Sequence, residues 1–218
     1  MRQQRPRGAT TREAIVSAAV DVVDSVGVDA LTIRAVAKAV GAPPMSLYTH
    51  FANKEELLDL MYGEVSRRLY PDSGQPTWQG ELLALGRHVR STLLQHPRWT
   101  PLLSRYSVPV VVTVRERVLG LMIADGIPPA EALQSFAAVF LVVLGLCLTE
   151  LQFRGPDGAS SLSRRFEQLR EEFDEADQTR QLPATRLAFK ELPRLNLDGT
   201  FELALTRLIG GIAGSRQG

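Results

Sequence analysis

The densest run of chemically able side chains in this sequence is Met45, Ser46, Tyr48, Thr49 and His50. If the run is helical, Leu47 and Phe51 stand four apart and face a supporting core, which turns the other five elsewhere. Those five are short, polar or aromatic, unlike the long acids and lysines of a merely solvated helix face. They suit donation to phosphate oxygens and contact with base edges and thymine methyls. They do not suit bond-breaking chemistry. The chain has no Gly-rich phosphate loop, no GxSxG and no Cys/His cluster at zinc-site spacing. His88 and His96 are not spaced as a metal pair, and the acidic run Glu171, Glu172, Asp174, Glu175 and Asp177 reads as a solvated face. An enzyme is therefore not expected, nor is a cofactor or a metal.

The charge distribution agrees with contact to a polyanion at one end. The 218 residues carry a formal net charge of +1. Residues 1–54 hold seven basic side chains (Arg2, Arg5, Arg7, Arg12, Arg34, Lys38 and Lys54) against four acids, leaving +3 there and −2 for the remainder. A positive front on a near-neutral body fits a molecule that meets nucleic acid by one face. The single cysteine, Cys147, cannot close an intrachain disulfide, which points to a reducing, cytoplasmic setting. The basic N-terminus lacks an apolar signal core, so secretion is not expected. The longest apolar run, Phe136 to Leu148, has 13 residues, fewer than the ~20 a membrane span needs, and is expected to be a helix buried on both sides.

Apolar residues recur at helical spacing along most of the chain, so the expected fold is all-α. Residues 1–9 read as a flexible basic arm. Thr10 and Glu13 fit a capping box that opens a first helix, with Ile15, Ala18, Ala19, Val22, Val23 and Val26 on one face and Gly27 as its stop. A second helix runs from Thr32 to Val40, and Gly41 supplies its left-handed end. Pro43 and Pro44 suit the first turn of a short third helix reaching Phe51. Asn53 and Glu56 form another capping box before a fourth helix. The cluster at 71–77, PDSGQPT, marks a domain boundary. The expected division is an arm at 1–9, a helix-turn-helix DNA-binding domain at 10–70 and a larger helical domain at 71–218. Helices are expected at 78–96, 98–106, 108–125, 128–154 and 195–214. The charged segment 155–194 mixes a helix at 162–177 with prolines at 183 and 193.

A nine-residue helix, a glycine turn and an eight-residue helix have helix-turn-helix proportions. Residues 31–61, LTIRAVAKAVGAPPMSLYTHFANKEELLDLM, resemble the DNA-binding region of the TetR family of bacterial regulators. The matching positions are Thr32, Ala37, Gly41, Leu47, Tyr48, His50, Phe51, Asn53, Lys54, Leu57 and Leu58. The specific likeness covers residues 10–61. The resemblance implies a phosphate contact from Thr32 at the positive end of its helix. It places Arg34 at a base or phosphate, Tyr48 and His50 as phosphate clamps, and Lys54 on a phosphate. Met45, Ser46 and Thr49 fall at recognition positions. Pro43 departs from the pattern, because many relatives carry a capping Ser or Thr there.

Family C-terminal domains form a dimer and enclose an inducer, so a homodimer with a small-molecule effector is implied. Leu141, Leu144 and Leu148, with Phe201, Leu205, Leu208 and Ile212, are the expected dimer interface, a four-helix bundle about a two-fold axis. His88, Trp99, Tyr106, Phe136, Phe140 and Phe153 are candidate walls of the effector pocket. No assured match to the drug and metal ligands of the tetracycline-binding members is present, so tetracycline is not expected. The expected function is a repressor released from a palindromic operator by its inducer, with no membrane partner. A helical adaptor that binds protein through a degenerate helix-turn-helix is the alternative, against which the basic arm and the short helix argue.

Overall fold

A computed structural model describes residues 11–104, 112–154, 164–168, 170–173, 183–191 and 196–214. Most of those residues are helical, and strands are absent among them. In chain order the helices are α1 (Arg12–Val26), α2 (Ile33–Val40), α3 (Pro44–Leu47), α4 (Lys54–Leu69), α5 (Trp78–Gln95), a 3-10 turn at Pro97–Trp99, α6 (Thr100–Ser104), α7 (Val112–Ala124), α8 (Pro129–Gln152), α9 (Pro183–Glu191) and α10 (Leu197–Gly214). Residues 164–168 and 170–173 are also helical.

Contacts divide the chain into two units. One holds the residues up to Gly74 together with Arg87–Gly120, and the other holds Gln75–Gly86 with Leu121–Gly218. The core of the first is built by Ile15, Ala19, Val23, Val36, Ala37, Leu47, Phe51, Leu57, Met61 and Val65, all buried. In the second, Trp78, Leu82, Phe136, Val139, Val143, Phe201, Leu205 and Ile209 are buried. There the indole N–H of Trp78 donates to Asp125 Oδ2 at 2.8 Å. A Cβ placed on Gly86 would lie 2.8 Å from Leu205 Cδ2 and 3.3 Å from Val143 Cγ2, so α5, α8 and α10 meet closely at that glycine.

Helix ends explain most boundaries. α2 begins because Thr32 Oγ1 accepts from the Ala35 amide at 3.1 Å. It ends because Gly41 takes a left-handed conformation, φ 69°. There the Ala42 amide reaches the Ala37 carbonyl at 3.0 Å and the Gly41 amide reaches Lys38 at 3.3 Å, a Schellman closure. α4 opens on Asn53, whose Oδ1 accepts from the Glu56 amide at 2.9 Å. Glu56 reaches back to the Ala52 amide at 2.7 Å and also holds Arg12 at 2.7 Å, fastening the starts of α1 and α4 together.

Several expectations need correction. The cap of α1 is Thr11, not Thr10: its hydroxyl accepts from the Ala14 amide at 3.2 Å. Glu13 then falls one position too early to close a capping box. Its carboxyl nevertheless lies below the usual range, through a backbone hydrogen bond, a bond with Thr11 and the charges of Arg12 and His50. The third helix stops at Leu47, not Phe51, and continues as turns in which the Thr49 and His50 amides reach only three residues back. Pro183, within the segment for which only a helix at 162–177 was expected, heads α9, the helix position where a missing N–H is harmless.

α8 is not buried on both sides within this chain. Ala132, Phe136, Val139, Val143 and Cys147 form one inward stripe, while Leu133, Leu141, Val142 and Leu148 are exposed. By length and composition alone it is also long and apolar enough to cross a membrane. Phe201 and Leu205 belong to the protomer's own core, because that face of α10 is the one turned toward Gly86 and α8. They are therefore not on an outward dimer face. Leu144, Leu208 and Ile212 are half-buried, and Leu141 is 67% exposed.

Candidate nucleic-acid interface

α3 has only four helical residues, far below the ~12–15 an isolated helix needs in water. It persists because Leu47 is fully buried and Phe51 nearly so, and because α3 packs against α2. Those two anchors leave Met45, Ser46, Tyr48 and Thr49 exposed and His50 half-buried. Met45 is 76% exposed, a high value for an apolar side chain. Tyr48 leans on Phe51 with ring centroids 6.0 Å apart, which fixes the ring while its face remains open.

The hydroxyls are orientated locally. Ser46 Oγ donates to the Pro43 carbonyl at 2.7 Å, and Thr49 Oγ1 donates to the Ser46 carbonyl at 2.7 Å. Each hydroxyl proton is thereby used within the turn, and the lone pairs face outward. In that rotamer both groups accept, which matches the amino donors of adenine and cytosine in a major groove. Thr32 is the converse case. Its oxygen accepts from the helix amide, and its own proton remains to donate.

Arg34 and Lys54 are exposed, and so is Lys38 one turn beyond Arg34. Among the described residues none of the three is held in an ion pair, whereas Arg12, Arg67 and Arg68 each are. Uncompensated cations on the two helices that flank a supported short helix in the chain suit contact with a polyanion. Lys38 was not among the residues selected from the sequence. Its position four after Arg34 was the available signal.

The proposed effector walls are drawn from both units. His88 Nε2–H donates to the Arg68 carbonyl at 2.9 Å, so it satisfies an orphan acceptor at the end of α4. Trp99 is fully buried, with the His96 ring stacked on it at 4.1 Å. Both belong to the first unit. Phe136 and Phe140 stack at 6.4 Å in the second, where Phe153 lies partly exposed at the end of α8. Tyr106 lies outside the described residues.

An all-helical chain that presents a buttressed short helix among unpaired cations is a helix-turn-helix DNA-binding protein in architecture. Comparison with known proteins identifies its kind. The description "Bacterial regulatory proteins, tetR family" matches residues 15–61, and "Tetracyclin repressor-like, C-terminal domain" matches residues 70–215. The chain belongs to the TetR family of bacterial transcriptional regulators. It is 35% identical over 175 residues to an HTH-type transcriptional regulator of Saccharopolyspora erythraea, covering 78% of this chain and 73% of that protein. It is 30% identical over 155 residues to the HTH-type transcriptional repressor DrrR1 of Streptomyces coeruleorubidus, covering 67% of this chain and 56% of the repressor. In three dimensions it resembles ActR of Streptomyces coelicolor, solved in complex with actinorhodin. The TM-score is 0.70 at 23% identity, over 95% of this chain and 99% of ActR.

Proposed function

We propose that this chain is a cytoplasmic homodimeric repressor that leaves a palindromic operator when a small apolar molecule binds its C-terminal region. The observation that carries the DNA-binding half is the α3 surface: Met45, Ser46, Tyr48 and Thr49 exposed on a short helix and the turn after it, held by Leu47 and Phe51, with unpaired Arg34 and Lys54 on the flanking helices α2 and α4. On this reading Met45, Ser46 and Thr49 set base preference. Thr32, Arg34, Tyr48, His50 and Lys54 hold the sugar-phosphate backbone. The dimer half is supported by the uncovered leucines of α8. Two recognition helices one DNA turn apart, ~34–36 Å, read the two halves of a palindrome. ActR with actinorhodin and the repressor DrrR1 support the ligand-responsive, repressing sense. A ligand that favours a form with wrongly spaced recognition helices lowers DNA affinity by population shift.

The test is selection of genomic fragments by the purified protein at moderate and high salt, followed by sequencing. A shared palindrome among the retained fragments is expected. Fragments without a common sequence, or retention at no salt concentration, would contradict sequence-specific regulation and favour the protein-binding adaptor.

A further inference from the structure

The end of α1 is held by a segment that lies about 70 residues further along and falls within the C-terminal family match. α1 has no basic residue in its last turn, so the carbonyls that every helix leaves unpaired at its C-terminus lack a local partner. Arg98 supplies one. Its Nη1 donates to the Asp24 carbonyl at 3.1 Å and also to the Ser25 carbonyl, setting a cation at the negative end of the helix dipole. Next to it, His96 Nδ1 lies 2.7 Å from Asp24 Oδ2. A carboxylate only accepts, so this ring nitrogen carries the proton and donates. The same imidazole lies flat on Trp99, 6° from parallel. Arg68 of α4 stands 5.8 Å from the Trp99 ring centroid. It also donates to Ser17 Oγ of α1 at 2.9 Å and to Glu64 at 2.7 Å. The turn His96–Trp99 thus touches α1 directly and lies beside an arginine of α4 that itself reaches α1.

We propose that this joint, Asp24–His96–Trp99 with Arg98 clamped over the end of α1, is the connection through which DNA binding and the C-terminal region sense one another. It rests on the regulator reading above and adds a route that enters the helix-turn-helix through α1. The cap on α4 made by His88 is separate from it. Asp24, His96 and Arg98 are positioning residues. None lies on the α3 surface, so their loss leaves DNA affinity in place and removes the communication.

The chain has two tryptophans, Trp78 and Trp99, so protein labelled with 5-fluorotryptophan gives two fluorine resonances, assigned with a Trp78→Phe variant. The probe is the palindromic duplex recovered by the selection above, with binding followed in parallel by anisotropy. In the unaltered protein the duplex is expected to shift the Trp99 resonance. In Asp24→Asn and in His96→Gln the duplex is expected to bind within about threefold of the original affinity while the Trp99 shift disappears. If either variant fails to fold, Arg98→Gln tests the clamp without touching the stacked ring. A full Trp99 shift in the folded variants, or a silent Trp99 in the unaltered protein despite DNA binding, would overturn the joint alone. Failure of the unaltered protein to bind any duplex would overturn the regulator reading and the joint with it.

Discussion

The helix-turn-helix and the α8–α10 pair are both helical, yet they are finished in opposite ways. In the first, three of the four helix starts are closed by side chains: Thr11, Thr32 and Asn53 cap α1, α2 and α4. Its anchors Leu47 and Phe51 find partners within the chain. α8 opens on Pro128 and Pro129 without a side-chain cap, and it leaves Leu141, Val142 and Leu148 in solvent. The first region buries its anchors within one copy. The second leaves leucines of α8 exposed. An apolar surface left open in this way has its natural complement in a second protomer.

The largest expected effect separates the two faces of the α8–α10 pair. Leu205→Ala removes a buried side chain and should cost roughly 2–5 kcal/mol of protomer stability, read as a fall in Tm at every protein concentration. Leu141→Glu with Leu148→Glu should instead leave the helical content of the chain intact and halve its mass in sedimentation to that of one 24.0 kDa chain. DNA affinity should then fall about a hundredfold or more, since one half-site remains. If the double variant stays dimeric, the exposed leucines are not the interface.

A smaller effect belongs to the reading head. Tyr48→Ala and Lys54→Ala should each weaken binding about tenfold for all sequences alike, with the dimer preserved. For Lys54→Ala the slope of log affinity against log salt should fall by about one, the signature of one lost phosphate contact. Unchanged affinity in both would remove α3 from the interface.

The smallest effect is electrostatic and lies behind the reading head. Glu64 is pushed upward by partial burial, but hydrogen bonds from Arg67 and Arg68 outweigh this and hold its carboxyl below the ordinary value of 4.5. A carboxyl lowered in the folded state contributes stability that is fully present above 4.5 and is lost as pH falls through its folded value. Acid titration should therefore show a loss of Tm below that range which is shallower in Glu64→Gln. Equal slopes would mean that the Glu64 pairs add nothing to the contact of α1 with α4.

The capped region was legible because its signals are local. Thr32, Gly41 and the Asn53–Glu56 pair each act within a few residues of their own position. The choice of Thr11 over Thr10 was not legible, since adjacent threonines offer the same hydroxyl. The assignment of Leu205 failed for a different reason. Periodicity shows that α10 has an apolar stripe but not whether its own chain or a partner covers it. The middle of α8 is apolar all round, so no stripe stands out in the sequence. The joint at His96–Trp99 was not legible, because Arg98 and His96 act on carbonyl and carboxylate groups 72 to 74 residues away. Contacts of that range leave no periodic trace.

The most direct test is anisotropy titration of the purified protein with the selected palindromic duplex, against a duplex of the same composition in scrambled order. Two chains per duplex and a preference of about a thousandfold or more at physiological salt are expected. Equal affinity for the two duplexes would contradict sequence-specific binding by this chain.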